Sequence, residues 1–260
     1  MRKVMQILLM IPVLYMLILP FFLSASANSR MCGRISINII DSSDYHFITK
    51  RQLLNLVYKN GGNIIGKPVK DIKIPDIESG ISALRELRQA EVYTSIDGTL
   101  HVYIDQRNPV MRVMPGEGGD FFIDDEGFVF RRRNLYAPRL RIIGGNINIT
   151  PAMLENVSIL DTSIKNTILK DVYHFVNYIN GNNFWSAQID QIYVDERDRI
   201  DLIPRVGNHT IHLGTFENYR DKLRNLGAFY DKVLPEVGWD KYSVINLEYS
   251  DQIVCKKRDR

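Results

Sequence analysis

Five histidines, two cysteines and a few close acidic pairs are the residues of this chain whose types could support acid–base, nucleophilic or metal chemistry. His209 and His212 are the closest histidine pair, three positions apart in "NHTIH". That stretch reads as a strand, on which positions three apart face opposite sides, so the two rings do not converge on one cation. His46, His101 and His174 have no histidine neighbour, and all five read as surface or turn residues. Asp124-Asp125 and Glu196-x-Asp198 fall in predicted turns, where carboxylates suit the local backbone rather than a catalytic dyad. Neither Cys32 nor Cys255 has an adjacent histidine to draw a proton from its thiol. No nucleophile elbow, phosphate loop or His-Glu-x-x-His helix occurs. The sequence predicts a non-enzymatic protein, with no catalytic residue, no metal ligand and no cofactor.

The 260 residues are 45% apolar and 24% charged, an ordinary globular balance with room for one or two domains. A net charge of +3, scattered along the chain, gives no footprint for nucleic acid. The dense basic spots are "RRR" at 131–133 and "CKKRDR" at the end, and both read as solvated surface. The N-terminus departs from the average: residues 4–23, "VMQILLMIPVLYMLILPFFL", carry no charge. About 20 apolar residues span a bilayer core of about 30 Å. Arg2 and Lys3 favour a cytoplasmic N-terminus by the positive-inside rule. Ala25-Ser26-Ala27 also fits a signal-peptidase site, but the run is longer than a signal h-region. The expected order is a cytoplasmic stub at 1–3, an inner-membrane anchor at 4–24, and a periplasmic remainder. Cys32 and Cys255, at opposite ends of that remainder, read as two unpaired thiols.

What must be positioned begins with residues 33–107. "RISINII" (34–40) alternates isoleucines at the strand period. "ITKRQLLNLVYKNGG" (48–62) opens with Thr49 and has Gln52 three residues on, a capping box, followed by an apolar helical face of Leu53, Leu54, Val57 and Tyr58. "IPDIESGISALREL" (74–87) repeats Ile77, Ile81, Leu84 and Leu87 at helical spacing. "EVYTSIDGTLHVYIDQ" (91–106) is a hairpin whose Asp97-Gly98 predicts a type I′ turn. The order is β-α-α-β-β, in which two helices cover one face of a three-stranded sheet. Pro109 lacks the N–H that a continuing ladder needs, and marks a boundary.

This order is that of a POTRA domain, a small polypeptide-docking module. Directly after the boundary comes "GGDFFIDDEGFVF" (118–130), a second hairpin. An apolar anchor, a POTRA-like unit ending in "IDQRNPVMRV" and a following "FFIDDEGFVF" together resemble the FtsQ/DivIB cell-division family over nearly the whole chain. "LIPRVGNHTIHLG" (202–214), "FYDKVLPEVGWDKY" (229–242) and "VINLEYSDQIVCKK" (244–257) resemble its Bacteroidetes-type form. Family members usually carry a longer cytoplasmic tail than the three residues here.

Residues 108–257 read as a β domain, an antiparallel sheet with flanking helices, as the resemblance implies. "LKDVYHFVNYING" (169–181) is an amphipathic helix closed by Gly181. "QIYVD", "RIDLI" and "HTIHLG" are strands, and Thr215 caps a helix whose stripe is Tyr219, Leu223, Leu226, Tyr230 and Val233. "SVINLEY" and "QIVCKK" are the last two strands, around a turn at Ser250-Asp251. A strand close to a chain end tends to lie at a sheet edge, where unpaired main-chain groups can accept a foreign strand.

In the family this last strand is the docking edge for FtsB/FtsL (DivIC-like) partners. The matching residues here are Tyr249, Asp251, Gln252, Ile253, Val254 and Lys256. The resemblance implies a divisome scaffold that links those partners and the septal peptidoglycan synthase complex. A POTRA-bearing secretion or outer-membrane assembly component is the alternative; it calls for repeated POTRA units or a barrel pattern, and the sequence has neither.

Overall fold

The computed structural model describes residues 15–16, 30–40, 46–116, 119–131, 138–155, 157–165, 167–249 and 252–258. Among them no helix is long and apolar enough to cross a membrane. The expected stub and anchor, apart from Tyr15 and Met16, lie outside the described residues. The chain divides into two compact units, Met1–Gln106 and Arg107–Arg260.

The first unit runs β1 (Arg34–Ile39), α1 (Lys50–Gly61), α2 (Ile74–Ser82), β2 (Leu87–Thr94) and β3 (Thr99–Gln106). Its sheet order is β1-β3-β2, with β1 parallel and β2 antiparallel to β3. Thr49 and Gln52 form the expected capping box, each side chain accepting from the other residue's N–H at 3.3 and 2.9 Å. Two N–H groups with no partner inside the helix are thereby satisfied. Leu53 and Val57 of α1 and Ile77 and Ile81 of α2 are fully buried with Leu100, Val102 and Ile104 of β3 in one core.

Two local expectations for this unit fail. The helix does not run on to Leu87: α2 stops at Ser82, and Leu87 opens β2 opposite Gln106. The spacing of Leu84 and Leu87 fits a helix, but the length of β3 demands a partner that far back, and pairing overrides periodicity. The hairpin turn is not type I′ either. Gly98 alone of the pair has positive φ, at 80°, with bonds from Gly98 N–H to the Ser95 carbonyl and from Ser95 N–H to the Thr99 carbonyl. That is a three-residue loop closed by a glycine bulge.

The second unit runs β4 (Pro109–Pro115), β5 (Phe121–Asp124), β6 (Val129–Arg131), β7 (Arg141–Gly145), α3 (Ile168–Asn180), α4 (Asn183–Gln188), β8 (Ile189–Val194), β9 (Ile200–Pro204), β10 (Thr210–Gly214), α5 (Tyr219–Lys232), α6 (Leu234–Val237), β11 (Tyr242–Asn246) and β12 (Val254–Lys257). One sheet of nine strands is ordered β12-β11-β10-β9-β8-β7-β4-β5-β6. Pro109 opens its first strand, where a missing N–H is tolerated, so the proline that cannot extend one ladder begins another.

The sheet is mixed rather than antiparallel. β4 and β7, β7 and β8, and β10 and β11 pair in parallel. Parallel neighbours need a crossover, and α3 with α4, then α5 with α6, supply two of them. The helices expected to flank the sheet are therefore what makes part of it parallel. The buried stripe of α3 (Leu169, Val172, Phe175, Val176, Ile179) and that of α5 (Leu223, Leu226, Tyr230) share one core with the strands.

The cap of α5 is Asn218, in the left-handed region at φ 52°, and not Thr215. Phe216 packs on Phe175 with ring centroids 5.1 Å apart, so residues 215–218 form a turn before the helix can start. Asparagine is one of the few residues to adopt that conformation readily.

Candidate docking edge

β11 is the platform for the C-terminal strand. On one side it pairs in parallel with β10, Ile211 opposite Ile245; on the other it pairs antiparallel with β12, Ile245 opposite Cys255 and Asn246 opposite Val254. Ile245 and Leu247 point into the core, and the Leu247 N–H donates to the His212 carbonyl at 2.8 Å. A bulge at Ser243 aims its hydroxyl at the Lys256 and Lys257 carbonyls, at 3.3 and 3.5 Å. β12 is thus held firmly along one margin.

Along its other margin β12 has no strand beside it among the described residues. The Arg258 N–H faces β11, donating to the Lys241 carbonyl at 3.1 Å. Main-chain groups alternate sides along a strand, so the N–H groups of Cys255 and Lys257 face away from β11. Val254 is 44% exposed, Lys256 and Lys257 are exposed, and Cys255 is half-buried against the core. The result is a short row of outward main-chain groups flanked by the cations Lys256, Lys257 and Arg258.

The six residues matched to the family's docking segment are distributed unevenly. Val254 and Lys256 lie in β12. Gln252 and Ile253 precede the strand, Gln252 exposed and Ile253 half-buried on the core. The expected strand from Gln252 is therefore two residues too long. β11 stops at Asn246, whose side chain accepts the Glu248 N–H at 2.8 Å, so no backbone remains opposite residues 252–253. Tyr249 is in the connecting bend and 53% exposed. Asp251, with the predicted turn at Ser250-Asp251, lies outside the described residues. Lys257, paired with Tyr242, and Arg258 extend the same margin. Their signal was "CKKR", which composition alone marks as solvated surface.

Beneath the edge lies a neutral layer. His209 is buried, against the expectation of surface histidines, with Nε2 2.6 Å from the Tyr230 hydroxyl. Its Nδ1 has no hydrogen-bond partner. Trp239 packs on the same tyrosine, ring centroids 5.2 Å apart with the planes tilted by 59°. Burial pushes His209 below the usual imidazole range, and the nearby Arg258 adds to the shift. Burial likewise pushes the Tyr230 hydroxyl and the Cys255 thiol up. These shifts all favour the uncharged form of the three groups, and they disfavour the thiolate and phenolate that would be needed for nucleophilic chemistry at Cys255 or Tyr230. The Arg258 guanidinium donates to the Asn208 carbonyl, next to His209, and so ties the end of β12 to this layer. His212 is half-exposed and pairs with Asp201, so the two histidines do face different partners.

The other acidic candidates also have structural work. Asp124 is fully buried, 2.7 Å from Arg107, and accepts the N–H groups of Glu126 and Phe128 at 3.0 and 2.7 Å. Burial pushes its carboxyl up, and Arg107 with those N–H groups pulls against the shift. The Arg107 guanidinium also lies over the Phe128 ring, 4.3 Å from its centroid. Asp195, not Asp198, organises its turn by accepting from Arg197 and Arg199 N–H. Cys32 and Cys255 are both free thiols. Among the described residues no group of three or more His, Cys, Asp or Glu side chains is placed to hold a metal ion.

Comparison with known families adds two findings. Residues 108–256 match a family described as FtsQ/DivIB, C-terminal related. Residues 30–105 match the POTRA-like domain. None of the curated proteins matches the chain.

Proposed function

This chain belongs to the FtsQ/DivIB family of non-enzymatic cell-division scaffolds, and we propose that it links division proteins at the septum mainly by accepting a strand at β12. The observation carrying this reading is the strand order, in which β12 ends the sheet with a single partner among the described residues. An incoming strand gains main-chain hydrogen bonds at Cys255 and Lys257, and the three cations favour one that carries carboxylates. FtsB/FtsL (DivIC-like) proteins are the proposed partners, with the septal peptidoglycan synthase complex recruited through them. The bulk of the chain lies in the periplasm, held to the inner membrane by residues 4–24 with the N-terminus cytoplasmic.

The test is co-purification of an FtsB/FtsL-type pair from membranes. Deletion from Gln252 onward abolishes it, and Tyr249→Ala weakens it, because that exposed ring borders the edge. Undiminished co-purification by the deletion variant rejects the strand-addition reading.

A further inference from the structure

At one end of the first unit three loops meet around the point where the chain enters it. The Cys32 N–H donates to the Lys67 carbonyl at 2.8 Å, and the Gly66 N–H to the Cys32 carbonyl at 2.8 Å. The Gly33 N–H donates to the Gly98 carbonyl at 3.1 Å, and the Arg30 guanidinium to the Ile96 carbonyl. A Cβ on Gly98 would stand 2.5 Å from the Met31 carbonyl oxygen, so the hairpin tip is seated against the entering strand. These loops display three apolar side chains: Ile96 is 77% exposed, Met31 58% and Ile65 43%. Four cations, Arg30, Arg34, Lys67 and Lys70, stand around them, against two carboxylates, Asp71 and Asp97.

Ile96 sits at the tip of a turn, a position that suits polar residues, and its side chain adds little to this unit's core. The apolar run of the sequence ends at Leu23, and six residues separate it from Arg30. Six extended residues reach at most about 20 Å. We propose that this end of the unit, with Ile96, Met31 and Ile65 at its tip, rests in the headgroup region of the bilayer. The three side chains enter the interface and the surrounding cations meet lipid phosphates. Such seating fixes the orientation of the first unit relative to the membrane. It rests on the reading of residues 4–24 as an anchor.

The test uses the full chain reconstituted in vesicles of phosphatidylethanolamine and phosphatidylglycerol. In a Cys255→Ser background, an environment-sensitive fluorophore is attached at Ile96→Cys or, as a control at the end of α2, at Ser82→Cys. Cys32 is fully buried and does not compete for label. A headgroup nitroxide lipid is expected to quench the label at 96 at least about twofold more than the label at 82. Equal quenching in chains that resist carbonate extraction overturns the proposal and leaves the anchor standing. Release of the chain by carbonate removes the anchor reading, and this proposal with it.

Discussion

The nine-stranded sheet has two margins built in opposite ways. At one, every residue of β5 is buried, as are Val129 and Phe130 of β6. The preceding turn is covered too: Phe128 bridges to Ser158, the Ile159 N–H donates to the Gly127 carbonyl at 2.9 Å, and the Tyr173 hydroxyl to the Asp125 carbonyl at 2.6 Å. At the other, β12 reads exposed, half-buried, exposed, exposed. At one margin the turn is covered by the chain's own loops and held by a buried ion pair, and at the other no strand or loop among the described residues lies beside β12. Strand content does not distinguish them; what distinguishes them is whether a side chain or loop of the same unit reaches the outer main chain.

The largest expected effect comes from opening the closed margin. Arg107→Ala leaves Asp124 buried without its cation, and is expected to destabilise the second unit by about 3–5 kcal/mol in denaturant unfolding. Lys256→Ala, the matching loss of a cation at the open margin, shifts the same measurement by less than about 0.5 kcal/mol. Equal losses at the two sites would erase the distinction between the margins.

Next is a change in binding without a change in fold. Cys255→Pro removes an outward N–H that β11 does not use, so titration with an FtsB/FtsL-type pair is expected to show about tenfold weaker affinity, one main-chain hydrogen bond's worth. The thermal midpoint should stay near that of the native chain, because prolines are accepted on the free side of edge strands.

A smaller effect follows from the layer under the open margin. His209 is held below its ordinary pKa by burial and Arg258, while Asp240 opposes the shift. As pH falls through about 6.5, the unfolded chain takes up a proton that the folded ring refuses, so stability falls with pH. Melting at pH 7 and pH 5 should therefore show a smaller loss for His209→Gln than for the native chain.

How far the sequence reveals this contrast depends on the range of each interaction. The Thr49–Gln52 capping box spans three residues and is legible from spacing. So are the faces of α3 and α5, because period records which side of an element is buried. It does not record neighbours. The parallel pairs β4–β7, β7–β8 and β10–β11 join segments separated by helices or a hairpin, and nothing in a local window distinguishes them from antiparallel ones. His209 reads as a surface residue because Tyr230, which covers it, is 21 positions away. Leu87 reads as helical because its strand partner, Gln106, lies beyond the hairpin. At the candidate docking edge the strand is legible and its start is not, since that depends on where Asn246 stops β11.

β12 is proposed to keep its outward main-chain donors free until another chain takes them. Amide hydrogen exchange on the full chain, alone and with the FtsB/FtsL-type pair, reads those donors directly. The account predicts fast exchange at Cys255 and Lys257 in the free chain and strong protection in the complex, with the Ile159 amide at the closed margin protected in both states. Protection of Cys255 and Lys257 already present in the free chain, or no change there when the partner binds, would contradict it.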